Sequence, residues 1–178
     1  MNSNLLKYQP QLIRLAKENN IPYIVICTIA LNESGCNPDV QPYREKTWRY
    51  FTTPQGKALS LHGTLSFVQD EAFHLLGAQE FEFQVHAHGA FQTVGSVLRE
   101  LGFRDDVFPN ELYAQGTFAM KHLSNMRNRF IGLYKDTPTD DQLYAMYNGG
   151  FGAVNQTIIE DYVMDYVEKA HENEKQTV

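Results

Sequence analysis

Pro22-Tyr23-Ile24-Val25-Ile26-Cys27-Thr28-Ile29-Ala30-Leu31-Asn32-Glu33-Ser34-Gly35 is the stretch on which the reading of the fold turns. Its apolar run is rich in β-branched residues, so a buried strand competes with a helix. The ends favour helix: Pro22 suits a first helical turn, Gly35 suits a stop, and the length is about three turns. On such a helix Ile26, Ile29 and Ala30 lie on the same side as Glu33, one or two turns before it, and place its carboxyl beside core surface. A carboxyl shielded from water loses stability in its charged form, which raises its pKa. An acid still protonated near neutral pH is what a glycosidase uses to protonate a leaving sugar oxygen. Taken alone, Glu33 before Gly35 is equally a plain helix end with a glycine cap.

Outward from this segment the pattern stays helical. Upstream, Leu5, Leu6, Leu12, Ile13, Leu15 and Ala16 recur at helical spacing, interrupted by Pro10. This predicts a first helix over residues 10–19 and a break at Asn19-Asn20-Ile21-Pro22. Downstream, residues 37–60 are polar and turn-rich, with Pro38, Pro42, Pro54 and Gly56, and they hold an aromatic cluster of Tyr43, Trp48, Tyr50 and Phe51. Helices are predicted over residues 64–76, 89–101, 111–130, 139–147 and 154–171, with Gly77 and Gly102 as stops and Thr139-Asp140 as a cap. The charged chain after Glu172 is expected to fray. No internal repeat, low-complexity stretch or linker breaks the pattern, so the expected fold is mainly α, one domain over residues 1–178.

Composition narrows the partners. The 178 residues are 43% hydrophobic and 20% charged, enough for a substantial core. A net charge of −6 and scattered basic residues argue against nucleic acid, which needs clustered Lys and Arg. The one short basic group, Lys121, Arg127 and Arg129, reads as a solvated helix face. Cys27 and Cys36 lie more than a helical turn apart if the helix runs through Glu33, and cannot bond without unwinding it. Cys27 reads as core and Cys36 as an incidental thiol, in keeping with a reducing compartment. Residues 1–20 have no signal-peptide pattern, and the longest apolar stretch, 24–31, is too short to span a bilayer. The expectation is synthesis in a cytosol, with no stable membrane insertion and a monomeric chain.

Two further motifs bear on chemistry. His88-Gly89-Ala90-Phe91-Gln92-Thr93 combines a glycine that permits close backbone approach with an amide that both donates and accepts. Ala145-Met146-Tyr147-Asn148-Gly149-Gly150 ends a helix in a Tyr-Asn pair before a sharp turn. A helix C-cap explains Asn148-Gly149 but does not require Tyr147. His86 and His88 suit one face of a strand, with His62 and His74 nearby, yet no Cys or Glu pattern completes a metal site; they read as surface or cleft-rim residues. Asp70-Glu71 offers a second carboxylate for a two-acid glycosidase, but its helix gives it nothing that aims it at Glu33.

The order of Glu33-Ser34-Gly35, then Gly89 to Gln92, then Ala145 to Gly149 resembles the lysozyme-like lytic transglycosylases and, more distantly, the goose-type lysozymes. The likeness runs over residues 21–154 and extends to Gly95, Leu98, Leu101-Gly102-Phe103, Gly116 and Leu123. It implies an α+β lysozyme-like domain with Glu33 as general acid and general base. It also implies that Ser34, Gly89, Phe91 and Gln92 line a sugar cleft, with Tyr147 and Asn148 close to Glu33 and the substrate. The implied substrate is peptidoglycan glycan, cut at the β-1,4 bond between N-acetylmuramic acid and N-acetylglucosamine to leave a 1,6-anhydro end, with no metal or cofactor.

The chain departs from that family in two places. Gly89-Ala90-Phe91-Gln92 stands where the family usually has Gly-Leu-Met-Gln, and the interval between Glu33 and Gln92 is much longer than in compact members. The extra segment, about residues 40–85, looks like an insertion of phage-type members. Its aromatics, in Tyr43-Arg44 and Trp48-Arg49-Tyr50-Phe51, either stack on sugar faces or form a small core under the insertion. With the absent export signal, the expected settings are a phage endolysin or a virion-associated wall enzyme, beside a bacterial enzyme secreted by a dedicated machine. The alternatives in activity are a lysozyme-type hydrolase of the same bond and a non-catalytic wall-binding or virion structural protein.

Overall fold

Helix α2 (Tyr23–Ser34) forms where it is expected, and residues 25–32 of it are all buried. An apolar segment with no polar side is stable only when wrapped, and the other helices supply the wrapping. In this computed structural model, which describes residues 2–48, 50–61 and 63–177, α2 packs against α1 (Ser3–Asn19), α7 (Asp140–Gly149) and α8 (Met164–Glu174). The long helix α6 (Leu112–Tyr134) lies along α1 and also meets α7. The main core joins Leu5, Leu12, Leu15, Ile26, Ile29, Met120, Phe130 and Tyr144, all at most 1% exposed. Gly35 ends α2 in a left-handed conformation, and its N–H and that of Cys36 return to the carbonyls of Leu31 and Ala30 at 3.0 and 2.8 Å. Eight α-helices and two small sheets make the described chain mainly α.

Residues 40–85 carry their own secondary structure. Strand β1 (Tyr43–Arg44) pairs antiparallel with β4 (His86–His88), which pairs with β5 (Thr93–Val94). A separate hairpin joins β2 (Tyr50–Thr52) to β3 (Ala58–Ser60), and α3 (Leu65–Leu76) and α4 (Ala78–Val85) follow. A satellite core of Phe51, Leu61, Val68, Ala72, Phe81 and Val85 holds these elements together. Gln84, fully buried, clamps the hairpin: its amide donates to the Thr52 carbonyl at 2.6 Å and accepts from the Thr52 N–H at 2.7 Å. The segment is tied to α5 (Gly95–Glu100), where Arg99 forms a two-pronged ion pair with Glu80 at 2.9 Å on both nitrogens and stacks on Phe83.

Several boundaries differ from the sequence reading, each for a physical reason. Helix α1 begins at Ser3 rather than at residue 10, with the Asn2 side chain capping it, because burial of Leu5 in the main core outweighs the missing N–H of Pro10. The span read as one helix over 89–101 is a turn, a strand and the short α5. Gly89 and Gln92 sit at φ +70° and +45°, and the Gln115 side chain captures the Ala90 N–H that a helix would need. Residues 154–160 are also not helical. Asn155 accepts from the N–H groups of Thr157 and Ile158, and Val154 bridges Ile159 before α8 starts. The chain after Glu172, expected to fray, continues α8 to Glu174 and returns to the body: Asn173 donates to Asn32, Tyr144 donates to Glu174 at 2.7 Å, and Thr177 is buried. Cys36, read as incidental, is as buried as Cys27, and both thiols are free. Arg49 and His62, named in the sequence reading, lie outside the described residues.

Candidate active site

Glu33 occupies the last turn of α2, where the helix leaves the core, and its carboxyl opens into a cleft of about 580 Å³. Burial raises its pKa from 4.5 to about 7. Two groups on α8 oppose that shift: the Tyr166 hydroxyl donates to Glu33 Oε1 at 2.6 Å, and the Lys169 ammonium, anchored on the Asn32 carbonyl at 2.7 Å, favours the ionised form. The negative charge of Glu45 acts in the opposite sense and supports the protonated form.

The structure brings four of the expected residues together. Glu33, Gln92, Tyr147 and Asn148 line the same cleft. Tyr147 comes from α7, and its hydroxyl donates to the Phe91 carbonyl at 2.6 Å rather than to Glu33. Burial and the nearby Glu33 charge push its own pKa upward, so it stays a neutral donor. Gln92 holds a left-handed backbone and braces its amide on the Gly89 carbonyl at 2.9 Å.

The other three do not line this cleft: Ser34 and Phe91 are packed behind it, and Gly89 lines an adjoining cavity of about 470 Å³ that shares Val40 and Gln41 with it. Ser34 donates to the Ala90 carbonyl at 2.8 Å and accepts from the Asn37 N–H at 3.0 Å, which pins the motif after Gly89 to the end of α2. Phe91 is fully buried in the main core. Gly89 faces Gln115, and a Cβ placed on it would lie 2.5 Å from the Gln115 side chain. These residues shape the cleft without lining it.

Residues of the 40–85 segment contribute much of the remaining wall. Tyr43, Glu45 and Trp48 line the cleft beside Ala87 and Val94. The aromatics therefore divide: Tyr43 and Trp48 face the cleft, Tyr50 is exposed, and Phe51 belongs to the satellite core. Trp48 is fixed by its indole N–H, which reaches Ser96 Oγ at 2.9 Å and the Tyr50 carbonyl. Asp70 and Glu71 lie on α3, away from the cleft. His86 and His88 face a second cavity of about 390 Å³ with Glu82, Arg99 and Asp106, so β4 separates the two hollows. Each of these imidazoles contacts a carbonyl, Glu82 O at 2.6 Å and Phe83 O at 2.9 Å respectively. Among the described residues no group of three or more His, Cys, Asp or Glu side chains is arranged to hold a metal ion.

Three site residues escaped the sequence reading. Tyr166 and Lys169 lie more than 130 positions from α2 in a segment with no motif of its own, so no local signal marks them. Glu45 has a local signal, as the acid lying in sequence between Tyr43 and Trp48, two of the cleft aromatics.

Chemically, the arrangement offers an acid poised to give up a proton near neutral pH, neutral amide and phenol groups for hydroxyls and acetamides, and aromatic surface for sugar rings. No helix among the described residues is long and apolar enough to cross a membrane. Compared with protein-family models, curated proteins and solved structures, the chain matches none.

Proposed function

We propose that this chain is a lysozyme-like lytic transglycosylase acting on peptidoglycan glycan strands. The observation that carries the reading is the Glu33 carboxyl, held up to about 7 by burial in a cleft that it shares with Gln92, Tyr147 and Asn148. Glu33 gives its proton to the bridging oxygen as the bond from the muramic acid C1 breaks. The substrate's acetamido group stabilises the positive carbon. The ionised Glu33 then takes the proton of the C6 hydroxyl while that oxygen bonds to C1, closing the 1,6-anhydro ring. Glu33 ends protonated, no water is consumed, and the same residue serves as acid and base. Gln92 and Asn148 would hold acetamido and hydroxyl groups, and Tyr43 and Trp48 would stack on sugar faces.

Hydrolysis of the same bond is the second reading, favoured by one observation: the cleft holds a second carboxylate, Glu45, which the expectation of a lone acid did not include. Purified sacculi digested by the protein and analysed by mass spectrometry separate the readings. Anhydromuramic ends support transglycosylation; reducing ends, one water heavier, assign hydrolysis. Binding without released sugar points to a non-catalytic wall-binding or virion structural role. The setting we propose is a phage endolysin or virion-associated wall enzyme.

A further inference from the structure

Trp48 is the one tryptophan of the chain, and its indole both lines the cleft and packs against the satellite core. The indole N–H donates to Ser96 Oγ at 2.9 Å and also reaches the Tyr50 carbonyl. Ser96 is only 4% exposed and stands in the first turn of α5, so this bond ties a residue of the insertion to a helix outside it. Behind Ser96 the anchoring continues through buried polar groups. The Thr52 hydroxyl donates to the Ser96 carbonyl at 3.0 Å, and both ends of the Gln84 amide hold the Thr52 backbone. Gln84 also donates to Glu80 at 2.7 Å, the acid that pairs with Arg99 of α5. Gly95 lets α5 seat this closely on α4, because a Cβ there would overlap the Phe83 carbonyl oxygen. Burying polar groups is costly unless they are paired, and a paired network fixes one arrangement. Thr52, Gln84 and Ser96 stand outside the cleft lining; what their network presents to the cleft is the indole.

We propose that Trp48 is the sugar-stacking platform of the cleft and that Ser96 is the positioning residue that fixes its plane, so that the insertion supplies binding rather than chemistry. This deepens, and rests on, the glycan-cleaving reading. The ligand is a β-1,4-linked strand of N-acetylated amino sugars, whose ring faces carry C–H groups that lie on an aromatic surface. Tyr43 offers a second ring on the same wall, but it is 56% exposed, whereas the Trp48 indole is braced from behind. A ring held in place before the strand arrives spares the cost of ordering it on binding, which corresponds to about three- to tenfold in affinity.

Because Trp48 is the sole tryptophan, its fluorescence reports this wall without background. The probe is soluble, uncross-linked peptidoglycan strands, added to Glu33→Gln protein with and without Ser96→Ala. Trp48 emission should change saturably, with a Kd about three- to tenfold higher when Ser96 is replaced. In the free protein, Ser96→Ala should also lower the anisotropy of that emission, the signature of a loosened ring. With Glu33 intact, Ser96→Ala should raise KM for the strands by the same factor and hold kcat within about twofold. Adding Ser96→Ala to Trp48→Phe should cost nothing further, since Phe has no N–H for Ser96 to hold. Emission that ignores the strands while sacculi are cleaved overturns the platform and leaves the glycan reading standing. An additive loss in the double variant, or a fall in kcat at constant KM, overturns the positioning role. Emission that responds to strands from which the wild type releases no sugar keeps the platform and removes cleavage; neither response nor release overturns both.

Discussion

Replacing Glu33 by Gln should make the protein more stable above pH 7, and the gain can be worked from the site. The folded-state pKa is raised from 4.5 to about 7, so the native protein holds a proton that the unfolded chain has already lost between those values. Stability therefore falls as pH rises through that window and levels off above the folded pKa. At about 1.36 kcal/mol per unit over roughly 2.5 units, the loss is on the order of 3 kcal/mol. Gln has the same shape, still accepts from the Tyr166 hydroxyl with its carbonyl oxygen, and does not titrate. Urea unfolding at pH 4, 6 and 8 should give curves that nearly coincide at pH 4. At pH 8 the variant's midpoint should be the higher, with an unchanged slope. Parallel pH profiles for the two proteins would show that Glu33 is not held above its ordinary range, and would remove the acid on which the mechanism rests.

Other perturbations test other parts of the structure. Tyr166→Phe removes the 2.6 Å hydrogen bond that favours ionised Glu33, so under the proposed function the alkaline limb of activity should move up by about one pH unit; a downward shift would contradict the geometry. Pro10→Ala should raise stability by about 1–3 kcal/mol in urea unfolding, because Pro10 lies inside α1 on an exposed position; a loss would mean that the proline shapes the helix usefully. Gly89→Ala should lower the melting temperature, the cost being about 2 kcal/mol or more, since φ is +70° and the new Cβ would meet Gln115; an unchanged melting point would show that Gln115 moves away freely.

Much of the helical frame was legible because local signals agreed with it. Pro22 and Gly35 bracket α2, Thr64 and Gly77 bracket α3, and Thr139 with Gln142 forms the capping box of α7. Failures came where one distant side chain decided the backbone. Nothing near Ala90 announces that Gln115 will take its N–H, and nothing near Pro10 announces that Leu5 is buried in the main core. The site follows the same division. Glu33, Gln92, Tyr147 and Asn148 are marked by short motifs and share one cleft. Ser34, Gly89 and Phe91 belong to the same motifs, but their polar groups and volume are spent on holding backbone together. Tyr166 and Glu45 act through space on an acid far away in sequence, and spacing cannot reveal that.

The partnership of α2 with α8 also sets an order of events. The Tyr166–Glu33 hydrogen bond spans 133 positions, a long loop to close during folding. A chain still emerging from the ribosome can build α1 and α2 before it has the residues that restrain the Glu33 carboxyl. The restrained Glu33 carboxyl thus arrives with the docking of α8 rather than with the first collapse of the core. Under the proposed glycan-cleaving function, late arming of this kind would limit damage from unfinished or truncated chains to the wall of the cell that makes them.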